Sequence, residues 1–378
     1  MNRNTPKPEH IKEILSQFNI EGTIVEVTPF GSGHINDTYL LRNESENLPD
    51  YLLQRINHAI FTDVPGLMNN VLLVTNHLKT KLSEKIDSNP EKEVLTIVKL
   101  KNGSLYYNDS NGDYWRIYHY IPNTKSYDIL ENEEQAYEGG KAFGRFQLLL
   151  ADLNASLLIE TIPNFHNIEM RLNRFNDAVK ADVVGRKEEV LQEIKFINER
   201  VDQMKSILNL GKAGKLPLRI THNDTKFNNV LLDKNDKVQC VIDLDTVMPG
   251  YVAYDFGDAI RTIINSASED EKDLDKIKLN IPLFESYTKG YFTEAEQFLT
   301  PLEVESLMMG VLLFPYMQAV RFLTDYLEGD TYYKTHFEGH NLQRTKAQLQ
   351  LLKEIEANKS QLQNIIEQVS KLSQHFVS

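Results

Sequence analysis

The chain has 378 residues, 41% hydrophobic and 25% charged, a balance that supports folded domains with proper cores and excludes a disordered chain. Its net charge of −13 excludes the basic surface that non-specific binding to nucleic acid or anionic lipid needs, yet leaves phosphate chemistry open, because a bound divalent cation can supply positive charge. A single cysteine, Cys240, excludes an internal disulfide framework and a thiolate metal centre. The segment MNRNTPKPEH lacks the apolar run of a signal peptide and no window reads as a membrane span, so the expectation is a soluble, cytoplasmic monomer.

In chain order, a helical pattern over 11–18 comes first, then strands over 23–28, 38–42 and Tyr51–Ile56. A helix is predicted over about 66–82, where Leu67, Val71, Val74 and Leu78 share one face. Strands follow at 94–100 and 114–120, with Asn-Gly pairs at 102–103 and 111–112 as hairpin signals. Beyond the connector IPNTKSYD the texture turns helical, with predicted helices at 133–151, 186–208, 302–328 and 341–375. The strand-like pair Val230–Leu232 and 238–242 interrupts them. The expected fold class is α+β, a small sheet lobe over 1–120 and a larger helical lobe over 121–378.

The stretch THNDTKFNNVLLD, residues 221–233, crowds His222, Asp224, Lys226, Asn228 and Asn229 ahead of an apolar strand. One reading is a solvated loop that happens to precede a strand. The other is a site. If the two strands pair about a turn centred near Asn235, Asn229 lies opposite Val241, and Asp243 emerges roughly 7 Å further along at ~3.3 Å per residue. One end of the hairpin then gathers Asp224, Asn229 and Asp243. Asn229 and Asp243 are oxygen ligands suited to Mg²⁺, and Asp224 remains free to accept a proton from a hydroxyl. His222 among asparagines is a poor transition-metal site and reads as packing under the loop. Cys240, mid-strand, reads as a buried thiol.

The pattern His-x-Asp-x-Lys-x-x-Asn, followed by a strand ending in Asp, resembles the catalytic and metal-binding segments of the protein-kinase-like fold. That fold implies further parts. The turn in PFGSGHINDTYLL puts Gly31, Ser32 and Gly33 where backbone N–H groups meet the phosphates of ATP. YLLQRI offers Arg55 as the cation of the third strand. Residues 66–78 hold no acidic partner for it, leaving Asn70 or Asp63 as the nearest substitutes. RIYHYIPN makes His119, Tyr120 and Ile121 the connector whose backbone meets adenine.

Asp255 follows Asp243 by only twelve positions in VIDLDTVMPGYVAYDFGDAIRT, too few for a protein kinase's activation segment. The run resembles the aminoglycoside and choline phosphotransferase superfamily. Within it, THNDTKFNNVLLD, CVIDLDTVMPG, AYDFGDAIR, GSGHIND, LLQRINH and VRFLTDYLEGD resemble the N-acetylhexosamine 1-kinase type over about residues 20–350. The resemblance implies transfer of the γ-phosphate of ATP, with Mg²⁺, to the anomeric hydroxyl of N-acetylglucosamine or N-acetylgalactosamine. It implies Asp224 as the base and Lys226 as the group steadying charge or gripping the sugar. Asn229 and Asp243 would be metal ligands, with Asp245 a second-sphere or second-metal carboxylate. His34, Arg321 and Tyr332 would contact the sugar, and Asp255 would buttress the loop through backbone hydrogen bonds. The alternative for Arg321 is a plain i,i+4 pair with Asp325. The alternatives for the whole chain are a kinase of another sugar, choline or an aminoglycoside-type alcohol, or a kinase-fold binding protein without turnover.

Overall fold

The computed structural model describes residues 7–31 and 35–375, with side chains as far as 371. The chain forms two compact units. The first runs to Thr124 and also takes in Ser156–Pro163 and Ile242–Val247; the second comprises Lys125–Ala155, Asn164–Val241 and the chain from Met248 onward. The single division expected after residue 120 is therefore a three-segment assembly.

In the first unit α1 (Pro8–Leu15) starts on a proline, whose missing N–H costs nothing at a first helical turn. Strands β1 (Ile24–Pro29), β2 (Asp37–Asn43) and β3 (Tyr51–Ile56) precede α2 (Val64–Ser83) and a single turn, α3 (Pro90–Glu93). Then come β4 (Ile97–Val98), β5 (Tyr107–Asn108) and β6 (Tyr114–His119). The antiparallel sheet has the order β1-β2-β3-β6-β4, with β5 also on β6. Tyr39, Leu41, Tyr51, Leu53, Trp115 and Ile117 bury one face against Ile14 and Phe18. Because side chains alternate along a strand, Gln54 and Arg116 point to the opposite face, where Arg116 reaches Met68 of α2. The predicted strand over 94–100 shrinks to two residues because Pro90 opens a helical turn just before it.

The second unit contains α4 (Glu133–Leu149), α5 (Ile168–Ala181), α6 (Leu191–Asn198), α7 (Val201–Met204) and α8 (Ser206–Lys212). Short strands β7 (Arg219–Thr221), β8 (Val230–Leu232), β9 (Val238–Val241) and β10 (Met248–Gly250) follow. Helices α9 (Val252–Ile263), α10 (Ile281–Ala295), α11 (Pro301–Leu327), α12 (His340–Ala357) and α13 (Lys359–His375) complete it. The helix predicted over 186–208 is broken into short pieces, and that over 341–375 is split at Asn358. The Asn358 side-chain amide donates to the Glu354 carbonyl at 2.8 Å and closes α12. Helix α11 begins with a complete capping box of Thr300 and Glu303.

One expectation needs correction here. Helix α11 is long and apolar enough to cross a membrane by length and composition, although 83% of its most apolar window is buried inside the unit. It is the central core helix, flanked by α9, α12 and α5. At its crossing with α9, a Cβ on Gly257 would sit 2.4 Å from the backbone of Gly310. Only glycine permits that approach, which carries Asp255 and Asp258 on α9 up to the loop after β7.

Candidate functional site

The loop between β7 and β8 carries the polar motif, and α9 shapes it from below. The Asp255 carboxylate, 1% exposed, accepts the backbone N–H groups of His222 at 2.9 Å and Asn223 at 2.7 Å, and the Gln147 amide at 2.8 Å. The Thr225 hydroxyl donates to the Asp255 carbonyl at 2.6 Å. Asn223 adopts φ +64, a left-handed turn that asparagine tolerates better than most residues. His222 is fully buried, edge-on to Phe143 and Phe146, and its Nδ1 accepts the Asp224 N–H at 3.3 Å. It serves as scaffold and has no metal neighbours. Among the described residues no group of three or more His, Cys, Asp or Glu gathers to hold a metal.

Fixed in this way, Asp224 meets the rest of the motif. Lys226 Nζ lies 3.0 Å from Asp224 Oδ1. Asn229 Nδ2 donates to the Asp224 carbonyl at 2.8 Å and to Oδ2 at 3.3 Å. Burial works to raise the Asp224 carboxyl, but Lys226, His222 and Asn229 outweigh it and hold the group below the ordinary carboxylate range. Burial likewise opposes the Lys226 charge, and Asp224 and Asp258 override it. Asp258 accepts the Thr225 N–H at 3.1 Å and faces Arg261 at 3.3 Å. Burial pushes its carboxyl up despite Arg261, and Asp224 adds to the push. The result is an exposed-edge carboxylate kept ionised at the tip of a rigid loop, the protonation state a general base requires.

The hairpin register departs from the expected one by a bulge. Val230 pairs with Val241 and Leu231 with Cys240, but Leu232 pairs with Val238, so Gln239 is the extra residue. Asn229 turns its amide N–H groups toward Asp224, which leaves its carbonyl as the oxygen donor. Asn228 ties the loop to Asp128 at 3.1 Å. Cys240 is a buried thiol whose Sγ donates to the Val241 carbonyl at 3.3 Å.

Beside the loop lies a residue the motif does not contain. His166 Nε2 donates to the Asn223 carbonyl at 3.0 Å, and its ring packs against Tyr254 and Phe314. Burial, then Arg321 and Arg171, drop its pKa to about 3 against the pull of Asn223 and Asp224, so the ring is neutral at physiological pH. Arg171, Arg174, Arg321, Thr324, Tyr332 and Tyr333 line a pocket of about 330 Å³ counting its open mouth. Arg321 makes no pair with Asp325. Its guanidinium donates to Gln318 at 2.9 Å, while Asp325 accepts the backbone N–H groups of Thr331, Tyr332 and Tyr333 and the Asn341 amide. Tyr332 is 60% exposed at the rim.

In the first unit, Ser32, Gly33 and His34 lie outside the described residues. Gly31 has φ +77 and open space around its Cα. Arg55 sits on the sheet face packed by α1. Its Nε donates to Asp37 at 2.8 Å, Asp113 lies at 3.4 Å, and the guanidinium stands over Trp115. The proposed substitutes for an acidic helix partner do not meet it. Asp63 caps α2 through the Gly66 N–H, and Asn70 bonds the backbone of Ile159 and Val247. The cation on the other face is Arg116, which donates to Asp245 through both terminal nitrogens and to Gln54 at 3.0 Å through Nε. Burial opposes its charge, but Asp245 overrides it and holds the guanidinium protonated. With Asn36 donating to its Oδ2 at 2.7 Å, Asp245 has both oxygens engaged and serves as the counter-ion of Arg116. Asp243, two residues before, takes φ +58 at the start of a short 3-10 turn. In the connector, the His119 N–H bonds Thr96 and the Tyr120 N–H bonds Asp50, each at 2.9 Å. Ile121 is the one of the three whose N–H has no partner among the described residues.

Residues 26–277, two thirds of the chain, match the model of the phosphotransferase enzyme family. The chain belongs to that family. Similar solved structures include an aminoglycoside phosphotransferase from Alicyclobacillus acidocaldarius, with a TM-score of 0.59, 11% identity, and coverage of 99% of this chain and 98% of that one. A microcompartment-associated aminopropanol kinase gives 0.60 and 15%, covering 94% and 99%. A Plasmodium vivax ethanolamine kinase gives 0.52 and 13%, covering 86% and 82%. At these identities the likeness is one of fold, the protein-kinase-like one with a small antiparallel sheet and a larger helical part. Sequence reasoning about this phosphotransferase missed Arg116, His166 and Arg171. A usable signal existed for Arg116 alone: it is the charged residue in the otherwise apolar and aromatic run YWRIYHYI, where an unpaired charge could not be buried.

Proposed function

We propose that this phosphotransferase moves the γ-phosphate of ATP onto the anomeric hydroxyl of an N-acetylated hexosamine. The observation that carries the chemistry is Asp224, an ionised carboxylate whose position is set by the Asp255-buttressed loop and whose charge is set by Lys226. It accepts the proton of the acceptor hydroxyl as that oxygen attacks phosphorus, and Lys226 steadies charge on the transferring group. Asn229 and Asp243 supply an amide carbonyl and a carboxylate, the hard oxygen donors that Mg²⁺ prefers. When bound, the ion would neutralise phosphate charge. Nucleotide recognition falls to the first unit, where Gly31 opens the turn after β1 and the Ile121 N–H has no partner among the described residues.

The sugar reading is supported by the sequence segments that resemble N-acetylhexosamine 1-kinases and by the character of the acceptor pocket. The solved relatives named for ethanolamine, aminopropanol and aminoglycosides act on amines. A pocket whose wall holds Arg171, Arg174 and Arg321 with the single carboxylate of Asp325 disfavours an ammonium group and suits a polyol rich in acceptor oxygens. The test is ATP consumption across N-acetylglucosamine, N-acetylgalactosamine, glucose, galactose, choline and ethanolamine, with the product assigned by phosphorus NMR. Hexosamine-dependent turnover with phosphate on the anomeric carbon is expected. Phosphate at C6, or turnover of the amines alone, refutes the reading.

A further inference from the structure

Buried or half-buried arginines in the second unit commonly face a carboxylate: Arg186 meets Asp330, Arg200 meets Glu356, Arg219 meets Glu303, and Arg261 meets Asp258 and Glu269. Arg171 and Arg321 do not. Among the described residues, Arg171 donates one terminal nitrogen to the Phe165 carbonyl at 3.1 Å and leaves Nε buried without a partner. Arg321 has Gln318 and the face of Tyr333. The Tyr333 hydroxyl is also buried and unpartnered. Asp325, which shares their pocket, has its oxygens engaged by the backbone of 331–333 and by Asn341. Burial and then the neighbouring Arg321 charge hold Arg171 below its ordinary basicity, the reverse of the shift seen at Arg186 and Arg261.

We propose that Arg171 and Arg321, with the Tyr333 hydroxyl, form a subsite for an acidic group on the acceptor, a carboxylate or phosphate ester carried by the same molecule as the hydroxyl that is phosphorylated. The proposal rests on Asp224 being the base for that hydroxyl. His166 spans the two: its ring bonds the carbonyl of Asn223, next to Asp224, and lies in the fields of both arginines. Two guanidinium groups lining one pocket, neither bonded to a carboxylate among the described residues, repel each other, and the orphaned Nε–H and O–H each lack an acceptor. A neutral sugar hydroxyl would satisfy one donor and leave the repulsion. An oxyanion satisfies the donors and cancels the repulsion, and guanidinium geometry matches it in a bidentate way. The four donors of Thr331, Tyr332, Tyr333 and Asn341 engage the oxygens of Asp325, so that carboxylate hydrogen-bonds neither arginine.

The test compares acidic acceptors with their neutral parents: N-acetylmuramate and N-acetylglucosamine 6-phosphate against N-acetylglucosamine, and glucuronate against glucose. In the wild-type enzyme at least one acidic member should exceed its parent at least tenfold in kcat/KM, through KM. Arg171→Gln should lower kcat/KM for that acidic member at least tenfold more than for its parent. A preference for every neutral parent overturns the proposal, and so does an equal loss for both members of a pair, which would place the arginines on the transferring phosphate. Turnover of no sugar refutes the hexosamine reading alone. The subsite is then judged by calorimetric titration with inorganic phosphate, where Arg321→Gln should weaken one binding event at least tenfold and unchanged affinity overturns it.

Discussion

The buried pair of Arg116 and Asp245 invites the most exacting test. Both side chains are 2% exposed, and around them Gln54 and Asn36 complete the hydrogen bonding. Arg116→Met keeps the volume and removes the charge. Asp245 would then be an anion in the interior with the Asn36 amide as its remaining donor, and Gln54 would lose its partner. Breaking a buried pair from one side costs about 3–5 kcal/mol. Asp245→Asn leaves the cation stranded instead and should cost a similar amount. In the double variant no net charge is buried, so its loss should fall at least ~2 kcal/mol short of the sum of the two single losses. Trp115, the only tryptophan and fully buried next to Arg116, makes urea unfolding of the first unit readable by fluorescence, separately from the helical unit. Single losses under ~1 kcal/mol, or strictly additive ones, would refute the claim that this pair is the central electrostatic contact of the small unit.

Other outcomes follow from the site. Asp224→Asn should lower kcat by about 10²–10⁴ while calorimetric binding of ATP persists; near-normal turnover removes Asp224 from its role. Because Lys226 holds Asp224 below the usual range, the wild-type pH profile should keep its activity into mildly acidic solution. Lys226→Gln should shift the acid limb upward, since burial is then opposed by His222 and Asn229 without the lysine charge, and an unmoved limb contradicts that origin. His166 is neutral in the folded protein down to pH about 3, whereas an unfolded histidine takes up a proton near ~6.5. Its contribution is complete above pH ~6.5 and is lost as pH falls from there toward 3, at up to ~1.4 kcal/mol per pH unit. His166→Gln keeps an N–H donor without titrating, so the drop in urea midpoint between pH 7 and pH 5, followed by helical circular dichroism, should shrink.

The loop, the hairpin and the buttressing Asp255 were legible because their roles depend on short spacing within a single run of sequence. The sheet was less so. Strand β3 is covered on both faces, with Tyr51, Leu53 and Arg55 buried and Leu52 and Gln54 half-buried, so the period-two signal that separates faces is weak. That is why spacing does not tell that Arg55 lies on the α1 face and Arg116 on the α2 face. Arg171 and His166 come from a stretch with no local motif, and tertiary packing alone brings them to Asn223 and Arg321. The predicted helix over 186–208 has no proline or glycine to break it, and its division follows from packing that spacing does not encode.

The way the small unit recruits Ile242–Val247 has a consequence for biosynthesis. Its sheet is complete by His119, yet the anion for Arg116 arrives with Asp245, and Asn70 finds its backbone partners at Ile159 and Val247. At ribosomal rates of roughly 5–20 residues per second, the nascent sheet waits on the order of ten seconds for its counter-ion. A chain stopped at residue 124 would carry an unneutralised buried arginine and should be captured by chaperones or aggregate. The same dependence makes the arrival of residues 242–247 a checkpoint: the small unit is sealed only after the segment holding Asp243 and Asp245 has been made.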